Sequence, residues 1–166
     1  MTERNLLRNA CYVIPMREKL GVHLRRLAVI PYLFFRYKMR RFIPTDMKKP
    51  GDVARTYVRD YEANRSLRAL GIADRDATAA IKVVTYMHNL THPLGDVTEM
   101  TPERSVRIER HCPFARFLSR DTCRELISGP AFDGLCEAIH PNLVHSHAKY
   151  LSGGDEMCDL TFELRE

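Results

Sequence analysis

Gly153-Gly154-Asp155-Glu156-Met157-Cys158-Asp159-Leu160-Thr161-Phe162-Glu163-Leu164 carries the plainest structural pattern in the chain. Gly153-Gly154-Asp155 is turn chemistry, because glycine accepts backbone angles that other residues avoid and aspartate bonds its own backbone. The residues after it alternate. Cys158, Leu160, Phe162 and Leu164 share one face, while Asp159, Thr161, Glu163 and Arg165 share the other. Strict alternation is the signature of a half-buried strand, so the Cys158 thiol is expected on the apolar side.

The segment Ser105 to Cys112 alternates too. Val106, Ile108, Arg110 and Cys112 fall on one face, Arg107, Glu109 and His111 on the other. Read by apolar content, the first set points inward. Pro113 then stops the strand, and proline is favoured at the first position of a helix. Cys112 would so lie beside a helix N-terminus, where the dipole favours a thiolate. Val97 to Met100 supplies a partner strand, joined around Thr101-Pro102-Glu103. A strand over 143–151 follows Pro141-Asn142 and forms a hairpin with the last one through the Gly153-Gly154 turn.

Between the strands the period is helical. Val53, Tyr57 and Tyr61 are spaced four apart in a helix over 51–70, with Gly71 as its C-cap. A helix from Asp74 carries Ala77, Ile81, Val84 and His88 on one side. His88 on that apolar face reads as a satisfied core histidine. After Cys112 come a short helix with Phe114, Phe117 and Leu118, and one capped by Asp121 that presents Cys123, Leu126 and Ile127. Gly129-Pro130 should break that helix before a last turn with Phe132, Leu135, Cys136 and Ile139. The expected fold class is α/β, more narrowly α+β: a helical N-terminal half packed on a small antiparallel sheet. The chain of 166 residues fits a single domain over 1–166, with 1–70 a helical lead-in and 75–166 the α/β core.

Five cysteines, an odd number, argue for reduced thiols rather than a disulfide framework. Met1-Thr2-Glu3-Arg4 lacks a leading apolar run, so a cytoplasmic chain without an export signal is expected. The net charge is +5, with its basic excess before residue 50. These residues are not interleaved with aromatics as in a nucleic-acid module, so no nucleic-acid partner is expected. An apolar run over 27–35, flanked by Arg25-Arg26 and Arg36, is too short to span a bilayer. We expect it to bury against a second copy in a homodimer rather than on a membrane surface.

Chemistry-bearing residues concentrate after Arg110. Cys112, Cys123, Cys136 and Cys158 lie there, with His111, His140, His145 and His147. With Cys112, Cys123 and Cys158 turned to one interior, three readings stay open. They are buried small hydrophobes; a soft-metal site, most simply zinc on Cys112, Cys123 and Cys158; or a nucleophilic thiol at Cys112 with a nearby general acid/base. Spacings of eleven, thirteen and twenty-two residues match no zinc-finger pattern.

Cys112-Pro113, Cys123, Pro141-Asn142 and Gly154-Asp155-Glu156-Met157-Cys158, in this order, resemble the L-2-amino-thiazoline-4-carboxylic acid hydrolase-like family. More distantly they resemble vinyl-reductase domains and the TRAPP-type small-subunit fold. The resemblance covers roughly residues 75–166. It implies helices on one side of an antiparallel sheet. It also implies hydrolytic opening of a C–N or C–S bond in a cyclic amidine such as a thiazoline, a small-molecule substrate. Cys112 is then the candidate nucleophile or ligand, and Cys123 and Cys158 complete the pocket. Asp155 sits in the matching motif, although turn chemistry explains it as well. His147 is the strand position able to supply a base; His145 shares its face, and the facing of that strand is undecided by pattern. The alternative is a non-catalytic metal- or small-ligand-binding module of the vinyl-reductase-like sensor type.

Overall fold

The computed structural model describes residues 50–91 and 93–166. The basic N-terminal segment, the apolar run 27–35 and Cys11 lie outside them. Two helical stretches, 77–91 and 120–139, pack on one four-stranded antiparallel sheet, and a third, 50–70, packs on those two, so the chain is α+β.

The first stretch along the chain is α1 (Pro50–Tyr57), a π-helical turn (Val58–Glu62) and α2 (Ala63–Leu70). Gly71 ends it in the left-handed conformation, returning its N–H to Arg68 and Leu67, as its position after the periodic residues predicts. Helix α3 (Ala77–Thr91) starts three residues after Asp74, where the pattern began it. Its cap is Asp76, whose carboxylate accepts the Ala79 N–H at 2.8 Å.

The expected hairpin is present. Strand β1 (Leu94–Met100) turns at Thr101-Pro102-Glu103 into β2 (Arg104–His111). Strand β3 (Leu143–Ser146) is shorter than the pattern suggests; the chain leaves the ladder at His147. It pairs with β4 (Cys158–Leu164), giving the order β1-β2-β4-β3. Between β3 and β4 a 3₁₀ turn (Leu151–Gly153) ends on Gly154 at φ 88°, a conformation in which a side chain would clash with the backbone.

Cys158, Leu160 and Phe162 are buried, as their alternation predicts. The facing of β2 is the reverse of the expectation. Ser105, Arg107 and Glu109 are the buried residues, while Val106 and Ile108 are half-buried and Arg110 is exposed. The register explains it: Ser105, Arg107 and Glu109 lie opposite Phe162, Leu160 and Cys158, whose side chains face the helices. The apolar side chains of β4 cover that face, and Arg107 and Glu109 satisfy each other and α3 there, so ions can be buried on it.

Two helical expectations are corrected. Pro113 opens a series of turns over 113–117, not a helix; the helix starts at α4 (Arg120–Thr122), capped by Ser119 Oγ rather than Asp121. Gly129-Pro130 does not break it. A π-helical turn (Cys123–Ser128) runs straight into α5 (Gly129–Ile139). Proline lacks a donor and cannot close the regular ladder, and the wider π turn absorbs that defect. Phe132, Leu135, Cys136 and Ile139 then line the buried face of α5 as expected. They join Ile81, Val83, Val84, Leu160 and Phe162 in one core cluster.

Candidate functional site

Five elements converge at the end of the sheet where β2 leaves and β4 begins. Strand β2 brings Glu109, and Cys112 follows it. Strand β4 begins with Cys158, α3 contributes His88 near its C-terminus, and His147 follows β3. Helix α5 contributes Phe132, whose ring lies 5.9 Å from His88, 5.6 Å from His145 and 6.4 Å from His147. His145 also contacts the Phe162 ring at 6.5 Å. The facing left undecided by pattern is therefore inward, toward α5.

Glu109 stands at the centre. Its side chain is 8% exposed. Oε1 receives Nε of Arg107 at 3.2 Å and pairs with Nδ1 of His88. Arg107 reaches on to Thr85 Oγ1 at 3.2 Å, so the ion pair is stitched to α3. Burial pushes the Glu109 carboxyl up, but His88 and Arg107 outweigh it and leave it below its ordinary range. Glu109 is thus a buried carboxylate that stays ionised.

The segment after β3 is pinned to the start of β4. Asp159 Oδ1 accepts the N–H groups of Ala148 and Lys149, each at 2.8 Å. Asp155 Oδ2 accepts the N–H of Tyr150 at 2.7 Å, and Cys158 Sγ accepts that of Leu151 at 3.2 Å. Asp155, expected as a catalytic candidate, is thereby engaged in holding the turn. These anchors fix His147, whose ring stacks on Tyr150 at 3.9 Å and 21°. Both His147 nitrogens are buried and without a hydrogen-bond partner among the described residues. Burial lowers its pKa to about 4, against weaker opposing pulls from Glu109 and Asp159. At neutral pH His147 is a neutral imidazole, with one donor and one acceptor nitrogen.

Three of the four described cysteines lie within electrostatic reach of one another. Cys158 feels the charges of Glu109, Cys112 and Cys123, and Cys112 feels Glu109 and Cys123. Cys136 stands apart, on the side of α5 that carries Asp133 and Glu137. The thiolate expected at Cys112 is not favoured. Burial raises its pKa, and the Glu109 charge adds to that; hydrogen bonds from the backbone N–H groups of Phe114 and Ala115 pull the other way without winning. Cys158 is pushed up to about 12, mostly by burial. At rest both are thiols. Among the described residues no group of three or more His, Cys, Asp or Glu is placed to hold a metal ion. Cys112, Cys123 and Cys158 are neighbours without forming the ligand set that zinc would need.

Glu109 and His88 were not singled out by pattern. The signal available was the opposite signs of Arg107 and Glu109, two residues apart and so on one strand face. A cavity of about 380 Å³ lies beside β3 and is lined in part by Asp133, Cys136, Glu137, His145 and Arg165. No family model, curated protein or solved structure matches the chain. Among the described residues no helix is long and apolar enough to cross a membrane.

Proposed function

We propose that this protein is a cysteine-dependent hydrolase that opens a cyclic amidine of the thiazoline type. The observation that carries the reading is the setting of the Cys112 sulfur. The backbone N–H groups of Phe114 and Ala115 favour its ionised form, and it lies in the field of an ionised carboxylate, Glu109, with a neutral histidine, His147, in the same field. Packing alone asks for none of these groups around a half-buried cysteine. The resemblance on Cys112-Pro113, Cys123 and Gly154-Asp155-Glu156-Met157-Cys158 supports the substrate class.

The chemistry runs in two stages. Cys112 passes its proton to His147, and its sulfur adds to the carbon between ring nitrogen and ring sulfur. The C=N pair moves onto nitrogen. The adduct collapses by breaking a ring bond, and the leaving atom takes the proton from His147. Water then adds to the same carbon, and Cys112 leaves as a thiol. Backbone N–H groups beside the sulfur stabilise charge developing next to it.

Turnover of 2-aminothiazoline-4-carboxylate by wild type and by Cys112→Ala tests this. Wild type should open the ring and the variant should not. Equal rates would remove Cys112 from the mechanism.

A second reading is favoured by the raised pKa values of Cys112 and Cys158. Protonated, buried thiols suit a small-ligand-binding module that performs no turnover. Ring opening by wild type counts against it. Elemental analysis of protein purified without added metal separates a metal-holding version from a metal-free one.

A further inference from the structure

Strand β3 is an edge of the sheet, and the cavity of about 380 Å³ beside it is walled by that edge and by α5. The ladder decides which main-chain groups face outward. The Arg165 N–H bonds the Asn142 carbonyl at 3.0 Å, while the Leu164 N–H turns the other way, to Glu103. Such groups alternate along an antiparallel ladder, so Val144 and Ser146 also turn to β4, and Leu143 and His145 turn outward. The Leu143 N–H folds back onto the His140 carbonyl at 3.1 Å. The Leu143 carbonyl and both main-chain groups of His145 are left open to a further strand, with no partner among the described residues.

The groove carries opposite charges at its two ends. At the Asn142 end stands Arg165, exposed and in no ion pair among the described residues. At the His145 end stands Asp133, whose side chain is 50% exposed and whose Oδ1 lies 3.3 Å from His145 Nδ1. Burial lowers the His145 pKa, so at neutral pH that imidazole brings no charge to cancel the carboxylate. Arg55 and Arg59 are taken by Glu137, and Asp133 feels Arg55 only at a distance. Three residues of strand separate the two ends, about 10 Å. Between them Leu143 and Cys136 line the groove.

We propose that this groove binds the C-terminus of a partner protein as an added strand, antiparallel to β3, with the terminal carboxylate on Arg165 and a lysine or arginine two residues earlier on Asp133. The surface is independent of the chemistry at Cys112. The direction follows from the charges. An antiparallel chain runs from Asp133 toward Arg165 and delivers its carboxylate to the guanidinium, whereas a parallel one would bring it to Asp133. The place of the cation follows from the pleat. Residues opposite each other on neighbouring strands share a face. His145 faces α5, with the Phe132 ring at 5.6 Å, so the residue opposite it points to α5 as well, where Asp133 stands. The terminal residue lies opposite Leu143 and sets an apolar side chain against Leu143 and Cys136. Main-chain bonds to the edge supply affinity, and the two ends supply specificity. A second copy would meet the same charges across a two-fold axis, but two concave faces cannot fill each other, and an isolated strand can.

The probe is acetyl-lysyl-alanyl-leucine with a free carboxylate, titrated into the full chain. Its C-terminal amide and its glutamyl analogue are the controls. Calorimetry should show saturation by the acid below about 1 mM, with binding about tenfold weaker for the amide and about threefold weaker for the glutamyl form. Arg165→Gln should bind acid and amide alike, and Asp133→Asn should bind lysyl and glutamyl forms alike. Both side chains are exposed, so neither change threatens the fold. Hydrogen exchange followed by NMR should show the His145 amide slowed by the bound acid, which a purely ionic contact would not do. No saturation in wild type, equal binding of acid and amide, undiminished discrimination in the variants, or a His145 amide that exchanges equally fast with and without peptide overturns the proposal. A dimer whose β3 amides are protected without peptide overturns it too, since the edge would then belong to a second copy.

Discussion

Glu109 and Cys158 are direct partners across the β2–β4 ladder, and both side chains are buried on the face that meets the helices. A carboxylate and a thiol opposite each other in a sheet interior do not arise from apolar packing. The pair fixes the thiol as a thiol, since the carboxylate's charge adds to burial in raising Cys158 to about 12. It also fixes the carboxylate's need for partners, which Arg107 and His88 meet.

Removing Arg107 should therefore be severe. Its side chain is 3% exposed, and it is the permanent cation of the network. Arg107→Met keeps the length and leaves Glu109 with His88 alone. Breaking a buried ion pair from one side costs about 3–5 kcal/mol. Urea denaturation at neutral pH should show a loss of that size. The double variant Arg107→Met/Glu109→Gln should recover part of it, because no buried charge is then left unpaired. A single variant within about 0.5 kcal/mol of wild type would show that the network is not structural.

Acid should weaken the fold through His147. Its pKa is lowered from the ordinary 6.5 to about 4. Above pH 6.5 neither folded nor unfolded chain holds the extra proton. As pH falls through 6.5 the unfolded state takes it up and the folded state does not, until about 4. Stability contributed at neutral pH is so lost across that window, by about 2 kcal/mol between pH 7 and pH 5. His147→Asn should flatten this part of the profile. The check is the difference in urea midpoint between pH 7 and pH 5 for the two proteins; equal differences would mean that His147 is not held neutral by the fold.

What was legible in the sequence follows from how each residue is buried. The facing of β4 was readable because Leu160 and Phe162 are apolar and their neighbours are not. That of β2 was not, because Val106 and Ile108 are half-buried on one side and Arg107 and Glu109 are buried on the other. Alternation gives a period and not a direction, and ions paired across elements defeat hydropathy as a guide. His88 was read as a satisfied core histidine, and the partner that satisfies it is Glu109. The protonation state of Cys112 and Cys158 was not readable, since it depends on burial and on a carboxylate brought in by the β2–β4 register. The helix through Gly129-Pro130 was hidden because a π turn depends on tertiary packing that local pattern does not carry.

Packing where α1 crosses α5 turns on Gly134. It is fully within the core face of α5, and a methyl group there would strike the backbone of Arg55, carbonyl oxygen first. The obstacle is backbone, not a flexible side chain, so the two helices must part. Gly134→Ala raises intrinsic helix propensity by about 1 kcal/mol, yet overpacking of this kind costs about 1–3 kcal/mol. We expect net destabilisation, with far-ultraviolet helicity kept.

The thiols should separate by rate of alkylation. Cys136 and Cys158 are buried and raised to about 12, chiefly by burial, so almost no thiolate exists at neutral pH. Cys112 and Cys123 are half-buried. Cys112 is also raised, but two backbone N–H groups pull against that, so it should react before Cys136 and Cys158 and well after a free thiol. Timed labelling with iodoacetamide and peptide mapping reads this order directly. Adding chelator should change nothing if the cluster holds no metal. Labelling of Cys136 or Cys158 ahead of Cys112 under native conditions would contradict the burial that sets their pKa values. Labelling of Cys112 as fast as a free thiol would mean its thiolate is favoured at rest, against the burial that raises its pKa.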